Sequence, residues 1–219
     1  YQLINVDDYN GVGESAPMPY FYQNRGEAEF VIALYKYMRI VGHPAEKITI
    51  LTTYNGQKQL LQDLVEQECT SDAYLGRPSD VTTVDKFQGQ QNDFILLSLV
   101  RTRTVGHLRD IRRLVVAMSR ARLGLYVFAR VNLFAGSLEL KHSMRLLLQR
   151  PQDLCLLLNE KFPTERRVAT PLDQDQEKSV KVIQSVNELQ RLVGQLYAGF
   201  IEEQIRLSKL MDVDDDEGE

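Results

Sequence analysis

Cysteine and histidine are scarce in this chain, with two and three respectively. Cys69 and Cys155 form no CxxC spacing and stand beside no histidine cluster. That argues against a metal site or disulfide framework and fits a reducing intracellular compartment. His43, His107 and His142 are scattered and suggest no ligand set. No apolar run approaches the roughly 18–20 residues needed to cross a bilayer. Nothing at the start reads as a secretory signal, so no membrane partner is expected. A G-x-x-x-x-G-K-[ST] phosphate loop is also missing: Gly11-x-Gly13 has no helix directly behind it and no lysine at the right distance. The chain opens at Tyr1 in what reads as running sequence, and a piece of a longer protein is expected.

What is present suffices for one well-cored domain with an appendage: 219 residues, 43% of them apolar. The net charge of −4 is unevenly spread. Residues 101–150 hold eleven Arg and Lys against Asp110 and Glu139, a local balance of +9, and the rest sums to −13. Such a basic block reads as a positioned anion site or as a solvated basic face.

Residues 1–18 read as a short lead-in strand and loop, and Pro19–Tyr22 as a short strand. From Gly26, Ala28, Val31, Ile32, Leu34, Tyr35 and Met38 recur at helical spacing until Gly42 and Pro44. Apolar β runs follow at Lys47–Tyr54, Val81–Val84, Phe94–Val100 and Leu123–Ala129, with helices over 56–68 and 112–122 between them. Strands alternating with helices, without two-residue hairpin turns, predict an α/β fold with a mainly parallel sheet over 19–134. Functional residues are then expected at carboxyl ends of strands, where Tyr54, Asp85 and Gln88 fall. A leucine-rich helical extension is expected over 135–162 and a polar linker over 163–175. A long amphipathic helix over 176–211 is expected to pack on its own protein or a partner, and 212–219 reads as an acidic disordered tail. No internal repeat is visible.

Three segments carry chemistry. In RRLVVAMSRAR (112–122), helical spacing puts Arg113, Ala117 and Arg120 on one face, two forked cations flanking a small residue that leaves room for an anion. A salt-bridged surface helix is the plain alternative. In VTTVDKFQGQQND (81–93) a strand ends in hydroxyl, carboxylate and amide groups, and Gly89 permits a turn or a close approach. In LTTYNGQK (51–58) a strand end offers an aromatic ring and a cation, and Tyr54 is placed either to stack on a base or to pack.

In this order, the three segments resemble motifs IV, V and VI of superfamily 1 RNA helicases, in the group of the nonsense-mediated decay helicase; the resemblance spans 19–129 and includes QNRGEAE (23–29). It implies the second RecA-like domain of an ATP-dependent helicase. By the family pattern Arg120 is the arginine finger and Gln88 its catalytic neighbour, while Arg113, Lys58, Tyr54, Gly89 and Gln91 lie toward the nucleotide. Thr82, Thr83, Asn55, Arg101 and Arg103 lie toward RNA. ATP and Mg2+ are expected to be bound mainly by a preceding RecA-like domain, so the fragment alone is expected to be inactive. Two departures stand out: Gln91 where relatives carry Glu, and Lys58 where the decay helicase carries Arg, which keeps the charge without the fork. The stretches NVDDYNGVGESAPMPYFYQNRGEAE and VVAMSRARLGLYVFARVNLF are similar to the intron-binding branch of spliceosomal helicases. That likeness implies a nuclear location, intron or pre-mRNA as the RNA partner, and spliceosomal neighbours including helical-repeat scaffold proteins and a cyclophilin. Two other classes stay open: a catalytically weak helicase-fold platform, and a doubly wound small-molecule enzyme.

Overall fold

A computed structural model describes residues 1–158, 162–163 and 179–216, with side chains described up to residue 206. Its centre is a five-stranded, wholly parallel sheet in the order β1-β7-β6-β4-β5. The strands are β1 (Gln2–Asn5), β4 (Ile48–Thr52), β5 (Asp80–Thr83), β6 (Asn92–Ser98) and β7 (Ala121–Ala129). Central strands such as ITILT and NDFILLS are apolar almost throughout because both their faces are covered. Alternate residues serve two cores. Ile48, Ile50, Leu96 and Phe128 face one, and Leu51, Ile95, Leu97 and Val127 face the other.

The first core is roofed by α1 (Arg25–Ile40), α2 (Asn55–Glu68) and the long helix α6 (Val186–Asp216). Asn24 caps α1 by accepting from the Glu27 N–H at 3.1 Å. On α6, Val186, Leu189, Leu192 and Val193 are buried against that core, and Gln190 donates to Glu29 at 2.9 Å. This helix therefore packs in cis along its amino-terminal half. The second core is covered by α3 (Ile111–Met118), α4 (Val131–Ala135) and α5 (Lys141–Leu147). This sheet flanked by helices is the RecA-like arrangement.

Several expectations need correction. The short lead-in strand is present, but it belongs to the domain that was expected to start at 19: β1 forms an edge of the sheet, with Leu3 and Ile4 buried. Residues 14–24 form a hairpin, β2 (Glu14–Met18) and β3 (Phe21–Asn24), whose two-residue turn is Pro19–Tyr20. The extension after 134 is not separate either, because Phe134, Leu140, Met144 and Leu147 complete the second core. Nor is it helical throughout: β8 (Leu154–Leu157) pairs antiparallel with β9 (Val180–Ile183), so the long helix begins at Val186 instead of 176. That helix runs on through Asp216, where a disordered tail was expected. The linker predicted over 163–175 lies, past its first residue, outside the described residues, as do 217–219.

Candidate nucleotide and nucleic-acid interface

The connection from β5 to β6, residues 84–91, runs the length of the sheet in eight residues. Phe87 is buried in the second core and pins it, while Asp85, Lys86, Gln88, Gly89, Gln90 and Gln91 stay exposed. Gly89 adopts φ +81, a conformation that suits glycine best. Gln88 therefore lies on this return segment, not at a strand's carboxyl end.

Helix α3 lies beside the same segment. Arg113 approaches Asp85 at 3.7 Å, both side chains substantially exposed, which makes a weak pair of about 0–1 kcal/mol. Beyond the last helical turn, Arg120 donates from Nε to the Val116 carbonyl at 2.8 Å, from Nη1 to the Gln90 carbonyl at 3.0 Å and from Nη2 to Ser119 Oγ at 2.8 Å. Its backbone carbonyl accepts from the Asn92 N–H at 3.1 Å, which places Arg120 at the amino end of β7. The helix ends at Met118, and Ala117 faces the core together with Leu114, both fully buried. The expected gap over Ala117 between two arginines is therefore not formed. The guanidiniums instead stand near opposite ends of α3, with the exposed 84–91 strip beside them.

Four other members of the basic block are neutralised, one by Asp110 within the block and three by acids drawn in from elsewhere. Arg112 pairs with Asp110, Arg122 with Asp93 at 2.9 Å, Arg130 with Asp8, and Arg101 with Glu14 at 3.0 Å. Arg120 differs. Its described partners are uncharged, and no acidic partner occurs among the described residues. Neutral acceptors satisfy the donors of the guanidinium without compensating its charge, which a phosphate with its matching fork geometry would do.

The carboxyl edge holds the second cluster. β4 ends at Thr52, with Thr53 directly after it, and its neighbour β5 ends in Thr82–Thr83, with Thr52 in register with Thr83. Thr82 and Thr83 are buried to 8% and 7% exposure, and the Thr52 and Thr53 hydroxyls are buried without a hydrogen-bond partner among the described residues. Thr52 and Thr53 were missed as candidates. The Thr-Thr doublet repeated at both strand ends was the available signal. Asn55 is exposed on the first turn of α2, and Lys58 is half-buried one turn on. Gln57, fully buried, donates to the Asn24 carbonyl and to Ser98 Oγ.

Two residues expected to meet ligand are internal. Tyr54 is 4% exposed, edge-on to Tyr22 and stacked on His107, both at 5.3 Å, and its hydroxyl accepts from Arg101 and from the His107 N–H. Arg101 is 7% exposed. Besides Glu14 it donates to Thr104 Oγ1 at 2.6 Å, and it lies 4.0 Å from the Tyr22 ring centroid. Burial pushes the Glu14 carboxyl up, yet bonds from Arg101 and from the Thr102 and Arg103 N–H groups hold it below its ordinary range. Arg101 is thus an internal strut, whereas Arg103, two residues on, is exposed. Beneath lies Glu27, fully buried at the base of α1. Its carboxylate accepts from Ser98 Oγ at 2.6 Å, the Val100 N–H at 2.8 Å and Asn24 Nδ2 at 3.3 Å. Burial pushes this carboxyl up to about 7.

Similarity to known proteins agrees with this geometry. A family model described as AAA domain matches residues 1–132. RNA helicase aquarius of Mus musculus is 55% identical over 202 residues, which cover 92% of this chain and 13% of that protein. Pre-mRNA-splicing factor cwf11 of Schizosaccharomyces pombe is 29% identical over 173 residues, 78% of this chain and 14% of that protein. Regulator of nonsense transcripts 1 of Caenorhabditis elegans is 31% identical over 117 residues, covering 52% and 11%. The chain thus spans only a small part of each relative's length. A RecA-like sheet, a half-buried arginine beside an exposed glycine-containing strip, and these similarities agree: the chain belongs to this AAA-domain family, among the superfamily 1 helicases grouped with Aquarius and the regulators of nonsense transcripts.

Proposed function

We propose that this chain is the C-terminal RecA-like half of an ATP-dependent RNA helicase that acts on introns in pre-mRNA splicing. The observation that carries the reading is the guanidinium of Arg120, held at the protein surface by uncharged acceptors beside Gln88–Gln91. An arginine so held fits a phosphate presented across a cleft by a preceding RecA-like domain. ATP with Mg2+, bound mainly by that domain, supplies the phosphoryl group whose transfer drives the cycle. On this side of the cleft, Arg120 stabilises charge on the γ-phosphate, Arg113 and Lys58 support neighbouring phosphates, and Gln88, Gly89 and Gln91 shape the strip that meets the nucleotide. Thr82, Thr83, Asn55 and Arg103 line the RNA track, on which phosphate contacts make binding fall with salt. Tyr54 and Arg101 act from inside, by fixing the start of α2 and the loop that carries Arg103.

The splicing context rests on the names of the aquarius and cwf11 relatives. It extends to a nuclear location and to spliceosomal neighbours such as helical-repeat scaffold proteins and a cyclophilin. The test is Arg120→Ala in the full-length protein. RNA-stimulated ATP hydrolysis should drop by about 10³-fold or more while RNA affinity largely survives. A variant with unchanged turnover would remove the motor reading and favour a helicase-fold platform. Residues 1–219 alone should show no ATP turnover above buffer.

A further inference from the structure

Tyr20, at the tip of the β2–β3 hairpin, combines two properties that conflict. It is 87% exposed, and its backbone lies at φ 63. It holds the second place of the two-residue turn Pro19–Tyr20, where glycine or asparagine would form the turn with less strain. A bulky residue with positive φ is an outlier that packing normally has to offset, and here the ring lies in solvent. Stability of the fold therefore gives no account of an aromatic side chain at this position.

The tip is also rigidly placed. A Cβ on Gly56 would stand 2.6 Å from the Tyr22 carbonyl oxygen and 3.0 Å from the Phe21 carbonyl carbon, so β3 lies directly against the first turn of α2. Gln23 donates to the Gly56 carbonyl at 3.1 Å. At the other end of the hairpin, the Glu14 N–H donates to Thr102 Oγ1, and the Glu14 carboxylate accepts from the Arg103 N–H. The tip is thereby held beside exposed Asn55 and the base beside exposed Arg103. A protein-docking anchor would sit at the centre of a desolvated patch. Met18 is exposed beside this ring, but the hairpin that carries it spans from the turn with Asn55 near its tip to the loop with Arg103 at its base, as a stacking platform on a phosphate-binding track would.

We infer that Tyr20 is a base-stacking residue, its ring taking one face of an unpaired base of single-stranded RNA that runs between Arg103 and Asn55. The inference rests on the RNA-binding reading above and extends it to a hairpin outside the helicase-like motifs. The experiment is equilibrium binding of the full-length protein to fluorescein-labelled oligouridine and to the same backbone made abasic, across a salt series. Tyr20→Ala should weaken oligouridine binding by roughly five- to a hundredfold, with Tyr20→Phe close to wild type. Abasic RNA should not distinguish Tyr20→Ala from wild type. The salt dependence should be unchanged in Tyr20→Ala but shallower in Arg103→Ala. Tyr20→Gly, which relieves the turn, should melt no lower than wild type and still bind weakly, which separates lost stacking from lost folding. If Tyr20→Ala binds within about twofold of wild type while Arg103→Ala is impaired, stacking is overturned and the track survives. If the wild-type protein does not bind oligouridine, both fall together.

Discussion

Arg120 Nη1 donates to the Gln90 carbonyl at 3.0 Å, tying the turn after α3 to the strip that carries Gln88 and Gly89. The direction of that carbonyl depends on Gly89 at φ +81. A Cβ there meets no atom within 4 Å, so Gly89→Ala tests the backbone rather than sterics. It should lower stability by about 1 kcal/mol, because an L-residue with a side chain resists positive φ. If the carbonyl holds the guanidinium in place, ATP turnover of the full-length protein should fall by somewhere between about three- and a hundredfold. Gly89→Asn should be milder on both counts. Urea melts and steady-state hydrolysis measure the two effects separately.

Arg101 and Arg103 sit two residues apart and should behave differently. Removing Arg101 leaves the Glu14 carboxylate buried without its cation, at a cost of about 3–5 kcal/mol for Arg101→Ala. Pairing Arg101→Met with Glu14→Gln should restore a large part of that. Arg103→Ala should leave the melting temperature within a degree or so and reduce the salt dependence of RNA binding. Thermal melts that show Arg101→Ala as stable as wild type would return Arg101 to the list of exposed phosphate contacts.

Glu27 predicts a particular pH response. Its carboxyl titrates near 7 in the folded protein against 4.5 when unfolded. Between those values the folded state holds the extra proton, so stability falls as pH rises through the window, by on the order of 3 kcal/mol. His43 works in the opposite sense. Burial lowers it to about 4, so its contribution improves as pH rises from 4 toward 6.5. The stability difference between wild type and Glu27→Gln cancels the histidine and isolates the carboxyl. That difference should shift in favour of the glutamine variant from pH 4.5 to pH 7, and a constant difference would contradict the buried-carboxyl account.

The docking of α6 is open to a single truncation. Leu189 is fully buried against the first core, so Leu189→Ala should cost about 2–5 kcal/mol. Leu196→Ala, only partly covered, should cost less. Equal and negligible losses in chemical denaturation would mean that the helix does not rest on α1.

Legibility in the sequence followed locality. The runs that became β4, β5, β6 and β7 were visible because strands buried on both faces are apolar almost throughout, and α1 was visible from its periodicity. What escaped depends on distant pairing. β1 was legible as a short strand, but its place beside β7, more than a hundred residues later, was not. β8 and β9 are short apolar segments that pair across a long separation, and a leucine-rich stretch alone does not choose between helix and strand. The β2–β3 turn lacks the Asn-Gly or Gly-containing pair that normally announces a hairpin. The same holds at the candidate site. Arg120, Gln88 and Gly89 were legible as a pattern and lie together, the arginine half-buried beside the exposed strip. The burial of Tyr54 and Arg101 was not legible, because it is imposed by Tyr22 and Glu14, from a short strand and a loop whose packing against these residues no local pattern announces.

The parallel pairing of Gln2–Asn5 with Tyr126–Ala129 decides where this domain can be cut. Composition suggests a start at Pro19, but a recombinant version trimmed there would strip β7 of its outer neighbour and take Asp8 from Arg130. The bared backbone amides and carbonyls would form a sticky rim that recruits other chains. Material begun at Pro19 should therefore precipitate under conditions in which material begun at Tyr1 stays in solution.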